Sequence, residues 1–268
     1  MIKVNGFEAK FWTFPGGERS VKLTKHPLYY ERTNFLVTME FKGSDDLIDL
    51  VLTVNALRNM MGADIKLSLN VPYLPFSRQD RVMTEGESFG LQAAVAMINM
   101  CNFTKVTTWD VHSDVAGALF PAGVFHNIPQ EVLWEDTVKN IDTDKKVAIV
   151  SPDAGALKKI YKVAAKTGRA VVEAMKVRDV ATGAIVETRI SAEAIKGFDT
   201  LIIVDDICDG GRTFIELGKV IRDAGFTGRL VLCVTHGIFS KGTAGFSDFD
   251  DIATMNNIND VDLLNFKK

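Results

Sequence analysis

Long apolar runs are missing from this chain. No stretch approaches the ~20 residues that a membrane-spanning helix needs. The start, Met1-Ile-Lys-Val-Asn-Gly6, lacks the apolar core of a secretory leader. Cysteine is scarce: Cys101, Cys208 and Cys233 cannot pair evenly and have no metal-ligand spacing, which argues against a disulfide framework or a zinc module. A charge excess is missing too. The net charge of −3 gives no electrostatic case for nucleic acid or an acidic membrane. Short-period repeats and low-complexity tracts are absent, which excludes repeat architectures. What remains, 47% apolar and 24% charged residues, is ordinary for a soluble globular protein, and a reducing cytoplasm fits the free cysteines.

What is present is an alternation of strands and helices. A length of 268 residues suits two modest α/β domains. Phe35–Phe41 reads as a strand, and Ser44 as the cap of a helix running to Met61. Ile65–Val71, Lys105–Trp109, Lys146–Val150, Leu201–Val204 and Leu230–Val234 read as further strands. Helices are expected over Ser88–Met100 and Ala156–Thr167, and short strands over Val171–Ala174 and Ala184–Arg189. Repeated βαβ units predict mainly parallel sheets with helices on both faces, and ligands at the carboxyl edge. The polar stretch from Glu135 to Lys146 is the candidate boundary, giving domains of residues 1–138 and 139–268. The tail after Gly242 is weakly patterned.

The most informative segment is Leu201-Ile-Ile-Val-Asp-Asp-Ile-Cys-Asp-Gly-Gly-Arg-Thr213. A strand runs into Asp205 and Asp206, then a glycine loop, then a helix. Glycines let backbone N–H groups converge, and the helix dipole favours an anion there. The paired acids suit vicinal hydroxyls or a hydrated Mg²⁺. Together they describe a ribose 5-phosphoryl site; the bland alternative is a βα turn with solvated acids. Cys208, inside this loop, is either reactive or a space-filler.

Other segments are weaker alone. After the second strand, two prolines stiffen a loop ending in Arg78-Gln79-Asp80-Arg81, which suits a polyphosphate and a base edge, or is simply solvated. His112 follows Asp110 at a strand end, where it can ligate a metal or be a structural histidine. Asp153 in Ser-Pro-Asp-Ala-Gly155 can add an oxygen ligand or cap a helix. Lys176 and Arg178 begin a loop through Thr182-Gly183, as a cationic arm or a basic surface hairpin. Phe14-Pro-Gly-Gly-Glu18 is a turn whose ends can stack on and bond to a purine.

In this order, from about Phe14 to Gly242, the segments resemble the ribose-phosphate diphosphokinase (phosphoribosyl-diphosphate synthetase) family. The resemblance implies two phosphoribosyltransferase-like α/β domains, an active site between them, and a homo-oligomer, dimer or higher. It implies transfer of the β,γ-diphosphate of ATP to the C1 hydroxyl of ribose 5-phosphate, with Mg²⁺, releasing AMP. Arg78, Gln79, Asp80, Arg81 and His112 then belong with ATP, and His112 and Asp153 with the metal. Phe14 and Glu18 match the adenine turn, which the family often lends to a neighbouring subunit. Lys176 and Arg178 stabilise the transferring group. Asp205 and Asp206 hold the ribose hydroxyls; Asp209, Gly210, Gly211, Arg212 and Thr213 cradle the 5′-phosphate.

The chain departs from the family pattern. A preceding N-terminal helix and a final helix are missing, and Gly16 stands where Asp or Asn is common. Gly210 replaces a Thr, and Arg212 replaces a glycine. A more open phosphate loop, with Arg212 free to meet a second phosphate, points to ADP-ribose as an alternative acceptor. A compact branch of the family uses that acceptor in NAD salvage. The shortened ends imply little ADP inhibition beyond competition with ATP. Two other classes compete. A phosphoribosyltransferase would not explain the Arg-Gln-Asp-Arg loop, and a non-catalytic regulatory homologue would not explain intact Lys176, Arg178 and His112.

Overall fold

The central strands of the second half, Val147–Ser151, Thr200–Cys208 and Arg229–Gly237, are buried almost continuously, whereas Asn34–Met39, Lys66–Asn70 and Lys105–Trp109 in the first half are buried alternately. That contrast sets the two layer arrangements in this computed structural model, which describes residues 1–29, 33–178 and 185–263. The side chains of residues 28, 176–178 and 185–187 lie outside that description. The chain divides into two compact units, Met1–Ile128 and Pro129–Lys268.

Unit 1 comprises β1 (Ile2–Val4), β2 (Phe7–Glu8), β3 (Lys10–Thr13), β4 (Arg19–Lys22), β5 (Asn34–Met39), α1 (Asp45–Met61), β6 (Lys66–Asn70), α2 (Gly90–Met100), β7 (Lys105–Trp109), α3 (Val115–Ala118) and β8 (Phe125–Ile128). Its main sheet has the order β2-β1-β5-β6-β7-β8. β5 to β8 are parallel, and β1 is antiparallel to both its neighbours. Phe35, Val37 and Met39 of β5 are buried, whereas Leu36 between them is exposed, because successive strand residues face opposite ways. These residues join Leu67, Leu69 and Val106 and the inner faces of α1 and α2 in one core. Ser44 does not cap α1 with its side chain. The Asp46 carboxylate instead accepts from the Lys42 and Gly43 N–H groups at 2.7 and 3.0 Å, closing the turn ahead of the helix.

Unit 2 comprises α4 (Gln130–Leu133), α5 (Glu135–Asn140), β9 (Val147–Ser151), α6 (Leu157–Thr167), β10 (Ala170–Glu173), β11 (Met175–Arg178), β12 (Ile185–Arg189), α7 (Ala192–Ile195), β13 (Thr200–Cys208), α8 (Arg212–Asp223), β14 (Arg229–Gly237) and β15 (Asp251–Asn257). Its sheet, β10-β9-β13-β14-β15, is parallel throughout. Both faces are covered. Leu201 and Ile203 point into a core with Phe214, Leu217 and Ile221 of α8, while Ile202 and Val204 pack with Ile160 and Val163 of α6. Each fully buried Leu or Ile stabilises by about 1.5–3 kcal/mol.

The units divide at 128/129 rather than at the expected 138/139. Trp134 and Val138 explain this: both are buried in the core of unit 2, and the Trp134 Nε1–H donates to Thr235 Oγ1 at 3.0 Å. The weakly patterned tail contains β15, whose Ile252 and Ala253 are buried as the last strand of the sheet. At the amino edge, Arg229 donates to Asp251 at 2.8 Å and to Asp142 at 3.1 Å, and Thr200 donates to Asp142 at 2.5 Å. This network ties together the starts of β13, β14 and β15. Among the described residues, no helix is long and apolar enough to cross a membrane.

Candidate active site

In unit 1 the sequence Val71-Pro-Tyr-Leu-Pro-Phe-Ser77 folds as a buried base under an exposed tip. The Pro72 carbonyl accepts from Trp109 N–H and from Thr108 Oγ1–H, both at 3.0 Å, locking the loop to the end of β7. Phe76 has a positive φ of 59°, and Gln79 N–H donates back to its carbonyl at 2.9 Å. That turn leaves Arg78 and Gln79 exposed and directs Asp80 inward, where it is only 6% exposed. Asp80 accepts two hydrogen bonds from Arg81, Nε at 2.8 Å and Nη2 at 2.9 Å. The hydrogen-bonded Arg81 guanidinium pulls the Asp80 carboxyl down to about 2 against the opposing effect of burial. Asp80 therefore holds Arg81 in place rather than presenting a free carboxylate. Asp110 is buried with φ 38°, and His112 beyond it is exposed.

The Phe14–Glu18 turn closes a hairpin of β3 and β4, with Phe14 N–H donating to the Glu18 carbonyl at 2.8 Å. Phe14 and Trp12, two residues apart on one face, are both exposed and meet edge to face at 5.9 Å. Arg19 fixes the hairpin to α1 through a bidentate pair with Asp49, Nε donating at 3.0 Å and Nη2 making a shorter bond. Asp49 is buried on the inner side of α1, and its role was not legible from a helical pattern read for apolar residues.

In unit 2, β13 extends beyond the expected Val204 and carries both acids as strand residues. Asp206 is buried and pairs with Lys159 of α6 at 3.3 Å. Asp205 Oδ1 accepts the Asp206 N–H at 2.9 Å. Burial first, then the negative charges of Asp206 and Asp153, push the Asp205 carboxyl well above its ordinary range; Lys159 opposes them. An electron-rich edge of this kind favours a positive or hydrogen-donating ligand. Asp153 accepts the Ala156 N–H at 3.1 Å just ahead of α6, so its capping role and its place near Asp205 coexist. Lys159 was not found from sequence; its only signal is its place in the first turn of the helix after Asp153.

The phosphate loop behaves as its glycines require. Gly211 is the N-cap of α8 with φ 76°, and a Cβ there would sit 2.4 Å from the Phe246 ring. Thus only glycine gives this entry to the helix without strain. Asp209, Gly210 and Thr213 are half-buried. Arg212 is turned away along the helix surface, donating to Glu216 at 2.7 Å, so here it does not reach toward a second phosphate. Cys208 is buried and its thiol is pushed up to about 12, mainly by burial, which makes it a space-filler rather than a nucleophile. Lys176 and Arg178 lie on β11, paired with Thr188 and Ile185 of β12, rather than at the start of a loop. Their side chains, and the loop residues Thr182 and Gly183, lie outside the described residues.

Mg²⁺ is the cofactor that the sequence resemblance implies. Among the described residues, no group of three or more His, Cys, Asp or Glu side chains could hold a metal by itself. Mg²⁺ in phosphoryl-transfer sites commonly takes one or two carboxylates, with waters and substrate phosphates completing its shell. Asp153, just after β9 and with its Oδ1 accepting the Ala156 N–H, is a carboxylate of the kind that mode uses.

The phosphoribosyl transferase domain family matches residues 131–262, within unit 2. A ribose-phosphate pyrophosphokinase of Pyrococcus furiosus is 28% identical over 230 residues, covering 85% of this chain and 77% of its own. One from Aquifex aeolicus is 28% identical over 233 residues, covering 87% and 72%. The chain is a homologue of the ribose-phosphate pyrophosphokinases. The crystal structure of phosphoribosylpyrophosphate synthetase from Mycobacterium smegmatis shares the fold, with a TM-score of 0.75 and 20% identity over 92% of this chain and 79% of that one. Homology to ribose-phosphate pyrophosphokinases thus extends over both units, whereas the phosphoribosyl transferase match is confined to the second.

Proposed function

We propose that this chain is an ATP-dependent ribose-phosphate diphosphokinase, with unit 1 binding ATP and unit 2 binding the acceptor. The observation that carries this reading is the acid pair Asp205-Asp206 at the end of β13, immediately before the Gly211-capped N-terminus of α8. Diol acceptors and an anion cradle one loop apart suit a ribose 5-phosphoryl group. Homology to enzymes named for this activity, across 85% of the chain, supports it.

In the proposed reaction, the C1 hydroxyl oxygen of the acceptor bonds to the β-phosphorus of ATP. The bond from that phosphorus to the α,β-bridging oxygen breaks, AMP leaves with the electron pair, and the hydroxyl proton goes to solvent. Little covalent help is needed; positioning and fixed positive charge do most of the work. Asp205 and Asp206 accept from the ribose hydroxyls and orient C1. Asp209 to Thr213 hold the 5′-phosphate on backbone N–H groups. Arg78, Gln79 and Arg81 hold the ATP phosphates and base, with Asp80 orienting Arg81. Phe14 stacks on the adenine and Glu18 accepts from its amine. Lys176 and Arg178 stabilise charge on the transferring group. Mg²⁺, when bound, neutralises the phosphates; Asp153 and His112 are its proposed protein partners. A homo-oligomer belongs to the same reading.

A second acceptor is favoured by one observation. A Cβ on Gly210 would meet only ordinary contacts, with Lys241 Cδ and Cε at 3.7 Å and Ser240 Oγ at 3.9 Å, so the bare backbone there is bordered by a lysine stem. ADP-ribose, whose 5′-phosphate is substituted, would set its second phosphate against that lysine. Offering ATP with each acceptor and identifying products by mass spectrometry decides between them. Product from ribose 5-phosphate alone would rule out ADP-ribose. Replacing Lys176 and Arg178 together by Ala should cut turnover by about 10³-fold or more while ATP still binds. Unchanged turnover would refute their assignment.

A further inference from the structure

The phosphate loop has a second wall that its own residues do not supply. The segment after β14 is stitched onto it by three backbone hydrogen bonds. Ile238 and Phe239 N–H groups donate to the Cys208 carbonyl at 2.8 and 3.1 Å, and Ser240 N–H donates to the Asp209 carbonyl at 3.2 Å. Phe239 is buried edge to face against Phe246, the same ring that confines Gly211. These contacts fix where Ser240 and Lys241 emerge. A Cβ built on Gly210 would lie 3.7 Å from both Cδ and Cε of Lys241, and 3.9 Å from Ser240 Oγ. The methylene stem of Lys241 therefore lies beside the bare backbone of Gly210, with its ammonium one bond further. Among the described residues Lys241 has no ion-pair partner, whereas Arg212 is engaged by Glu216.

We propose that Lys241 is a further binding residue of the acceptor site, its ammonium holding the acceptor's phosphoryl group on the side of Gly210. This rests on the diphosphokinase reading of unit 2. A lysine suits the task because its compact charge on a flexible stem can follow either a terminal phosphate or a diphosphate linkage. Arg212 is directed along α8 by its Nε bond to Glu216, whereas Lys241 lies beside Gly210. The 5′-phosphate is thus enclosed by two chain segments, the loop before α8 and the loop after β14.

The test is steady-state kinetics of K241M, K241R and R212A, with saturating ATP and either ribose 5-phosphate or ADP-ribose. K241M should raise the acceptor KM about tenfold or more, the usual scale for losing a charged hydrogen bond. Turnover and the KM for ATP should change less than about twofold, within the spread of surface substitutions. K241R should restore most of the loss, and R212A should raise the acceptor KM less than K241M does. An unchanged acceptor KM in K241M, or a larger rise in R212A, overturns the proposal. If the wild-type chain forms no ribosyl diphosphate from either acceptor, the diphosphokinase reading falls by itself. Titration calorimetry with ribose 5-phosphate then decides on Lys241 separately: weaker binding by K241M supports it, and equal affinity refutes it.

Discussion

Two adjacent glycines should respond to alanine with opposite signs. Gly211 has φ 76°, and an added Cβ would lie 2.4 Å from Phe246 Cζ and 2.9 Å from Cε2. Left-handed backbone costs a non-glycine residue roughly 1–2 kcal/mol, and overpacking a filled core costs roughly 1–3 kcal/mol. Phe246 is 1% exposed and sits between Phe239 and Phe249, so its ring cannot swing aside. We expect G211A to lose about 2–5 kcal/mol, a fall in Tm of about 4–20 °C for a unit of this size. Gly210 has no positive φ, and its Cβ would make contacts of 3.7 Å or longer. There alanine mainly restricts the unfolded chain, so G210A should be neutral or stabilising by up to about 1 kcal/mol. Thermal and denaturant unfolding of the two variants checks both signs. In a double-mutant cycle with F246L, the coupling should exceed about 0.5 kcal/mol, because the smaller side chain relieves the clash. A G211A protein as stable as wild type, or a G210A protein less stable than G211A, would refute this account of the phosphate loop.

Three further outcomes follow from other contacts. A Cβ at Gly90 would fall 2.2 Å from Gln79 Oε1 and 3.0 Å from Phe76 Cδ1; the exposed Gln79 side chain can shift but the Phe76 ring packs on the core, so G90A should cost about 1–3 kcal/mol of stability and raise the KM for ATP about threefold or more. Asp205 has a raised pKa, so acceptor kcat/KM should fall as pH drops through a value above the ordinary carboxylate range, seen as an acid limb that D205N removes along with activity. The same sign makes the ligand-free protein lose stability as pH rises through that pKa. An acid limb confined to the normal range of Asp would contradict both. R229M takes its cation from the buried Asp251, while Asp142 keeps Thr200 and Lys145; as Arg229 is partly exposed, the loss should be about 1–3 kcal/mol in urea unfolding, below the range for fully buried pairs, with acceptor KM unchanged.

The parallel strands of unit 2 were legible because buried strands read as continuous apolar runs, as Leu201–Val204 and Leu230–Val234 do. The acids and glycines after them were legible because turn chemistry is local. Much of what failed depended on contacts distant in sequence. β15 alternates weakly, and pairing with β14 defines it as a strand. The early boundary depends on Trp134 meeting Thr235, 101 residues away. Asp49, Lys159 and Lys241 carry no motif; each acquires a role only from the residue the fold places beside it. Arg212, read from sequence as a loop cation, follows helix spacing to Glu216. Lys176 and Arg178 read as loop residues because a short hairpin strand has too few residues to show a period.

The most direct test of the central claim is the fate of the ATP phosphates. Purified protein given ATP, ribose 5-phosphate and Mg²⁺ should release AMP in equal amount to a ribosyl 1-diphosphate, resolved by mass spectrometry, with no nucleobase required. Formation of ADP in place of AMP, or consumption of a ribosyl diphosphate only when a nucleobase is added, would contradict the account.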